Sequence, residues 1–493
     1  MALRTPEEYR ASLRDGRRLI YRGRPVEDVT THLSLGRTID HAAALFAHPD
    51  EGPAGMWSYY DEELGEEVSS YFRVPTTSEQ LRERGDLIEE TTRRARSTLN
   101  IIKAVGTDAL LGLITVAAEI DEREGTRFAE RVAAFRAHCA RGDLAIALAA
   151  TDAKGDRTRR PSAQADPDLH LRIVDRDADG ITVRGAKLHT TASPSANELI
   201  CIPGRALGPG DEDYALAFAV PVNAPGLTLI CHPLVDGPED EHPVSSRNIE
   251  VETLTVFEDV RVPWERVFLC GQWRYAGAVA NAFATFHRYT ALSYKPPLID
   301  LMIGAATLAS EQLGISAAGH VREKLGRLIV YGELVRCARL AAAARAGVDA
   351  TGIAVPDAVA TNAGKFHFAS GFHDAVATLQ DLAGGIVVTA PGIEDLDDPA
   401  IGPLVSKYLG DGAGVDGAER WRVAQLVRDL TASEFGGYNL VVTLHGEGSR
   451  QAQLVQAVRA FDLERCASYA RAVLSSASID PEGAPAGVEA SRS

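Results

Sequence analysis

The stretch from Thr151 to Ser193 concentrates groups able to hold a phosphate or a redox ring. It opens with TDAKGDR. There Gly155 frees the backbone, Lys154 and Arg157 bring fixed positive charge, and Asp152 and Asp156 bring acceptors. Such a loop can turn N–H groups and cations toward a phosphate or the edge of a flavin. The plainer reading is a solvated surface loop. HGEGS at 445–449 is a second glycine-rich turn leading into a predicted helix. Its N–H groups would suit a phosphate at a helix N-terminus, or the segment is an ordinary interhelical turn. Gly384 and Gly385 in LAGGIV are a third such place, equally explained by a helix C-cap. His287, in FATFHRYT, lies on a predicted aromatic helix face, as a proton-handling group or a satisfied core histidine.

These residues need elements to position them. LHLRIV and ITVRGAKLH read as two short strands joined by the turn-forming run DRDADG. Residues 1–140 read mainly as helices, beginning with TPEEYRASL, where Thr5 and Glu8 form a capping-box pattern. From 141 to 273 the pattern is of short β-like runs separated by Pro and Gly, which predicts a small β-barrel or sandwich. From 274 to 477 long Ala- and Leu-rich stretches return, among them 275–286, 298–316 and 355–384, predicting a bundle of packed helices. The tail 478–493, rich in Pro, Gly, Ala and Ser, is expected to be disordered.

Composition narrows the classes. The chain has 493 residues with 45% hydrophobic and 24% charged content, the balance of a soluble globular protein. A formal net charge of -17 argues against nucleic acid or an anionic membrane as a general partner. The six cysteines form no CxxC pair and match no zinc module, so they read as reduced thiols of a cytoplasmic protein. The charged N-terminus has no apolar core, so no signal peptide is expected, and no apolar run is long enough to span a bilayer. GDGAG at 410–414 lacks the frame of a Rossmann site, and no P-loop, HExxH or GxSxG occurs.

TDAKGDR, PSAQADPDLHLRIV and VRGAKLHTT resemble the central segment of the 4-hydroxyphenylacetate 3-hydroxylase family, on the side of its 4-hydroxybutyryl-CoA dehydratase branch. The resemblance runs from RTPEEYRASLRDGR through VGTDAL, VFEDVRVPWERVFL and FHRYT to HGEGSRQAQ. It implies an α+β, acyl-CoA dehydrogenase-like fold: an N-terminal α-helical domain, a middle β-barrel and a C-terminal helical bundle, in a homotetramer. It implies FAD, with Thr151, Asp152, Lys154, Gly155, Asp156 and Arg157 along its ribityl and pyrophosphate part. His189, Thr190 and Thr191 would lie at the isoalloxazine edge, and Gly446, Gly448 and Ser449 in the second turn. His287, Glu252 and Lys295 match active-site positions of the dehydratase branch and would form an acid–base set, with Tyr294 beside them.

The departures are informative. The three cluster cysteines of the dehydratase correspond here to Asn100, Ala104 and Tyr294, and only His287 remains. Neither Asn nor Ala replaces a thiolate, so no iron–sulfur cluster and no other metal is expected. The dehydratase glutamate ahead of HGxGS has no counterpart in YNLVVTLHGEG. The Arg and Tyr that phenol hydroxylases place one helical turn apart are missing from AVGTDALL, and ALAATD lacks their His.

The favoured expectation is a two-component monooxygenase. It would take reduced FAD from a separate flavin reductase, react it with O2, and hydroxylate a small aromatic or heteroaromatic molecule. The alternative is a cluster-free flavoenzyme acting on an acyl-CoA, with RTRR at 157–160 lining a basic channel. A third is a flavin-binding scaffold without catalysis.

Overall fold

The computed structural model describes residues 3–48, 55–96, 99–247, 250–412 and 414–475. The tail expected to be disordered, 478–493, lies outside the described residues. Thr5 caps the first helix, and Glu8 returns the bond to the Thr5 backbone, as the capping-box pattern requires.

Two sheets form the centre. The larger runs Arg24–Val26, Leu19–Tyr21, Leu227–Cys231, Thr253–Pro263, Gly180–Leu188 and Thr151–Asp152, with Arg172–Arg176 also paired to Gly180–Leu188. The smaller runs Val267–Cys270, Leu216–Pro221, Glu198–Cys201 and Ile146–Ala149. Both sheets are open, so the expected barrel is instead a sandwich. Side chains alternate across each strand, so one face of each sheet joins a shared core. Leu199 and Phe218 of the smaller sheet meet Val183, Leu229 and Val260 of the larger there. On the smaller sheet's other face, Ile200, Ala217 and Ala219 pack with Leu110 and Phe135 of the N-terminal helices.

The N-terminal part is not purely helical. Leu19–Tyr21 pairs in parallel with Leu227–Cys231, so residues far ahead of the β region complete its larger sheet. These strands carry only three residues each, too short to show a period of two.

The helices Ser78–Arg94, Ala104–Glu124 and Phe128–Arg141 precede the β region. After it comes one 37-residue helix, Ala276–Gln312, continuous through Pro296 and Pro297. The separation between 275–286 and 298–316 seen in the apolar pattern is therefore no break. The prolines remove N–H donors from the helix interior, and close tertiary packing of this buried segment carries the helix across them. Helices Ala104–Glu124 and Ala276–Gln312 lie against each other. Gly112 permits this approach, since a Cβ there would sit 2.6 Å from the Phe283 nitrogen. Gly319–Ala344, Ala358–Ala383 and Gly417–Thr431 complete the main bundle around Leu298, Val335, Phe368 and Val427. Among the described residues no helix is long and apolar enough to cross a membrane.

Candidate active site

Three cationic side chains enter the bundle on apolar helices, and each needs a buried partner. Lys295 lies on Ala276–Gln312, as does Arg288, and Lys365 lies on Ala358–Ala383. They converge on Glu447, which belongs to HGEGS. Glu447 has φ 54, a left-handed conformation unusual outside glycine. This turns its carboxylate inward, leaving that side chain 4% exposed. Lys365 Nζ stands 3.1 Å from Oε2 and Lys295 Nζ 3.5 Å from Oε1. The Tyr294 hydroxyl donates to the same Oε1. Arg288 Nε donates to the Glu447 carbonyl at 2.8 Å, and its Nη1 to Asn362 Oδ1 at 2.9 Å. Gly448, at φ 93, keeps the turn clear of Arg288 Nη2, which a Cβ would meet at 2.6 Å.

Burial dominates the electrostatics of this cluster. It pushes the Glu447 carboxyl up to about 7, with His287 and Arg288 opposing the rise. It pulls the Lys365 ammonium down to about 7, helped by Arg288. The Lys295 ammonium is held well below its usual range by burial and then by Lys365. Burial thus moves the acid up and the lysines down, toward one another, the direction that suits acid–base work.

A second buried array adjoins the first. Arg84 Nη2 donates to Asp108 Oδ1 at 2.7 Å, and Thr290 Oγ1 donates to that same oxygen at 2.8 Å. His287 Nδ1 stands 3.1 Å from Asp108 Oδ2, with Phe283 stacked on the ring at 4.9 Å. Asn100, Ala104 and Tyr294, the positions matching cluster cysteines, carry no thiol; Asn100 instead donates to the His41 carbonyl. Among the described residues no group of three metal-binding side chains occurs.

Glu252 is elsewhere. It accepts from Thr191 Oγ1 and from the Tyr438 hydroxyl, both at 2.8 Å, and burial raises its carboxyl above the usual range. The structure therefore pairs Tyr294 and Lys295 with Glu447, while Glu252 belongs to the strand end at Thr191.

The three glycine-rich and threonine segments meet at that strand end. Thr151 pairs with Leu188 and Asp152 with Lys187, so the loop from Lys154 to Arg157 leaves the sheet beside His189, Thr190 and Thr191. Asp152 is held by Lys187 Nζ at 2.6 Å. Gly155, at φ 52, leaves room that a Cβ would contest with Gln164 Oε1 at 2.7 Å. Asp156 accepts from Thr158, and Lys154, Gly155, Asp156 and Arg157 are exposed. Thr190 is buried and takes a bond from Thr255 Oγ1 at 2.9 Å, so its hydroxyl serves the sheet. His189, at φ 54, is exposed; partial desolvation of its ring, then Lys154 and His445, lower its affinity for a proton. Lys154 and His445, from two other segments, lie close enough to His189 to act on its ring, and of the three Lys154 brings the fixed positive charge. Ser449 caps the helix Arg450–Ala460, accepting from the Ala452 nitrogen.

Sequence reasoning missed Asp108, Glu447 and Lys365. A signal existed for the two acids: Arg84, Lys295 and Lys365 on buried helical faces require buried carboxylates, which Asp108 and Glu447 supply.

The fold and this site define a mixed α/β protein whose helical bundle closes against a β-sandwich around buried, proton-bearing side chains. The chain belongs to the 4-hydroxyphenylacetate 3-hydroxylase family: the family's N-terminal model matches residues 5–269 and its C-terminal model residues 276–475. It is 29% identical over 489 residues to the 4-hydroxybutyryl-CoA dehydratase/vinylacetyl-CoA-Delta-isomerase of Clostridium aminobutyricum, covering 96% of this chain and 99% of that one. It is 32% identical over 422 residues to the oxygenase component of 4-hydroxyphenylacetate 3-monooxygenase of Thermus thermophilus, covering 85% and 86%. A crystal structure of such an oxygenase component, complexed with FAD and 4-hydroxyphenylacetate, superimposes with a TM-score of 0.87 at 30% identity, covering 96% and 98%. Butyryl-CoA dehydrogenase of Megasphaera elsdenii shares the fold, at a TM-score of 0.51, 14% identity, and coverage of 93% and 99%.

Proposed function

We propose that this protein is the oxygenase component of a two-component, FAD-dependent monooxygenase that hydroxylates a small aromatic or heteroaromatic substrate. The observation that carries this reading is the exposed pair of cations, Lys154 and Arg157, on a loop that leaves the sheet beside His189–Thr191, set against a bundle of buried acid–base groups. The loop fits FAD. Gly155, at φ 52, lets the loop turn tightly against Gln164 and Leu169, and the exposed cations of Lys154 and Arg157 suit a pyrophosphate. Thr151, Asp152, Lys154, Gly155, Asp156 and Arg157 would hold the ribityl and pyrophosphate part. His189, Thr190 and Thr191 would lie at the ring edge, with Gly446, Gly448 and Ser449 opposite.

Reduced FAD, supplied by a separate reductase, would bring the two electrons that activate O2. The remaining work belongs to the chain. His287 faces the substrate and handles its proton. Tyr294 and Lys295 hold Glu447, which stores a proton close to neutrality. Glu252 orients Thr191 at the ring edge. Buried helices and sandwich exclude water.

Asn100, Ala104 and Tyr294 supply no thiolate, which supports a site without an iron–sulfur cluster. Stoichiometric iron after anaerobic purification would count against this. The six unpaired cysteines support a reducing, cytoplasmic setting. The apolar face of Leu463–Leu474, with Leu463, Tyr469, Val473 and Leu474 exposed in the single chain, supports a homotetramer. Light scattering would report its mass. A division into 1–140, 141–273, 274–477 and a tail 478–493 follows the change from helices to strands and back, except for the strands donated by residues 19–26.

The first test is rapid mixing of the protein, loaded anaerobically with reduced FAD, with oxygenated buffer. A transient flavin absorbance distinct from both reduced and oxidised forms supports the oxygenase. Reoxidation at the rate of free reduced FAD, with candidate phenols present, refutes it and favours acyl-CoA chemistry, which the similarity to the dehydratase over 96% of the chain also supports.

A further inference from the structure

Hydroxylation of a phenol is eased when the ring hydroxyl gives up its proton, and AVGTDALL lacks the Arg and Tyr expected for that step. We propose that an Asp108–His287 dyad replaces them, with His287 Nε2 as the base and Asp108 as its positioning residue. This inference rests on the oxygenase reading.

The geometry carries it. An ionised carboxylate only accepts, so the ring nitrogen facing Asp108 Oδ2 at 3.1 Å must be the donor. The proton of the neutral ring therefore sits on Nδ1, and Nε2 keeps a free lone pair. Asp108 is locked in this role. Its other oxygen takes bonds from Arg84 and Thr290, and its side chain is 0% exposed. The His287 side chain retains 11% exposure, so the ring is not sealed into the core. Phe283 stacks on one face of the ring at an interplanar angle of 19° and fixes its plane. The helix crossing at Gly112 brings the two partners together. The charged groups facing His287 are Asp108, with Arg84 behind it, and Glu447 from the turn.

In the step itself, the substrate O–H bond breaks and an Nε2–H bond forms. The electron pair stays on the phenolate oxygen, and the imidazolium is stabilised through Nδ1–H by Asp108. The proton leaves with solvent when product departs. This is the division of labour between an acid and a histidine in hydrolytic triads, applied here to a phenol hydroxyl proton.

The test begins with the ligand-free protein. Nitrogen NMR of histidine-labelled protein, with His287→Gln to assign the signal, is expected to show the Nδ1–H tautomer in the wild type. Asp108→Asn is expected to move the proton to Nε2. The chromogenic phenol 4-nitrophenol then reports ionisation directly. Bound to the wild type it is expected to ionise at a pH about one unit below its free value, a tenfold effect, and Asp108→Asn is expected to abolish the shift. If Asp108→Asn does not fold, the double variant Arg84→Met/Asp108→Asn removes the buried charges together and gives the same readouts. A wild-type Nε2–H tautomer, an unchanged tautomer in the variant, or no phenolate shift in the wild type would overturn the dyad. A correct tautomer and phenolate shift without any oxygen-dependent product would instead sink the oxygenase reading.

Discussion

The Glu447 cluster and the Thr151–Arg157 loop are both charged, and they differ in what surrounds the charge. In the cluster, two lysines, an arginine and a tyrosine close on one acid within the bundle. In the loop, Lys154 and Arg157 stand in solvent on a segment that turns at Gly155. Buried charge is costly to leave unpaired and has its proton affinity shifted by burial; exposed charge costs little and is available to an arriving anion. The first region is built to hold protons, the second to recruit a ligand.

The sharpest way to break this contrast is Glu447→Ala. It leaves Lys295 and Lys365 buried without their acid, and we expect a loss of about 3–5 kcal/mol of stability, read by urea unfolding. A loss below about 1 kcal/mol would show that the cluster is solvated after all.

Glu250 supplies the next largest effect. It is buried, accepts from the Ile101 nitrogen at 2.8 Å, and burial pushes its carboxyl up to about 8. Its folded value exceeds its unfolded value, so the folded state holds the proton longer. The stability this provides is full below about pH 4.5 and drains as pH rises toward 8. Thermal unfolding should therefore show stability falling across that window. Glu250→Gln keeps an acceptor for Ile101, should flatten the slope, and should gain about 1–3 kcal/mol at pH 8. Parallel pH profiles for the two proteins would contradict the assignment.

Gly448→Ala tests the turn that aims Glu447. A side chain at φ 93 that meets Arg288 should cost about 1–3 kcal/mol and move the titration of the cluster. An unchanged melting temperature would mean that Arg288 yields freely.

Lys154→Ala should give the smallest change in stability, within about 0.5 kcal/mol. Its effect belongs to binding: FAD affinity, measured by fluorescence titration, should fall a few-fold and lose part of its salt dependence. Equal affinities at low and high salt would remove Lys154 from the cofactor site.

Several elements of this molecule are legible in the chain. The capping box at Thr5 and Glu8, the hairpin around DRDADG, the strand-rich middle and the long helices all depend on local periodicity and turn chemistry. The presence of His287, Tyr294 and Lys295 on one helix is equally local. No glutamate stands ahead of HGxGS in YNLVVTLHGEG, and Glu447 inside the motif carries the buried carboxylate.

Tertiary structure decided the rest. The open sandwich, and the strand at Leu19–Tyr21 that joins it, depend on pairings across some two hundred residues, which no local pattern encodes. The apolar pattern separates 275–286 from 298–316, yet burial carries one helix across Pro296 and Pro297 between them. Glu447 reads as a solvated turn residue, and only a left-handed backbone angle directs it to Lys295 and Lys365. Asp108 reads as one acid on an apolar helix, and only the close crossing at Gly112 sets it against His287. Sequence determines which groups exist and which faces are apolar. Their partners follow from packing, because a buried charge must find its counterpart wherever the fold brings one near.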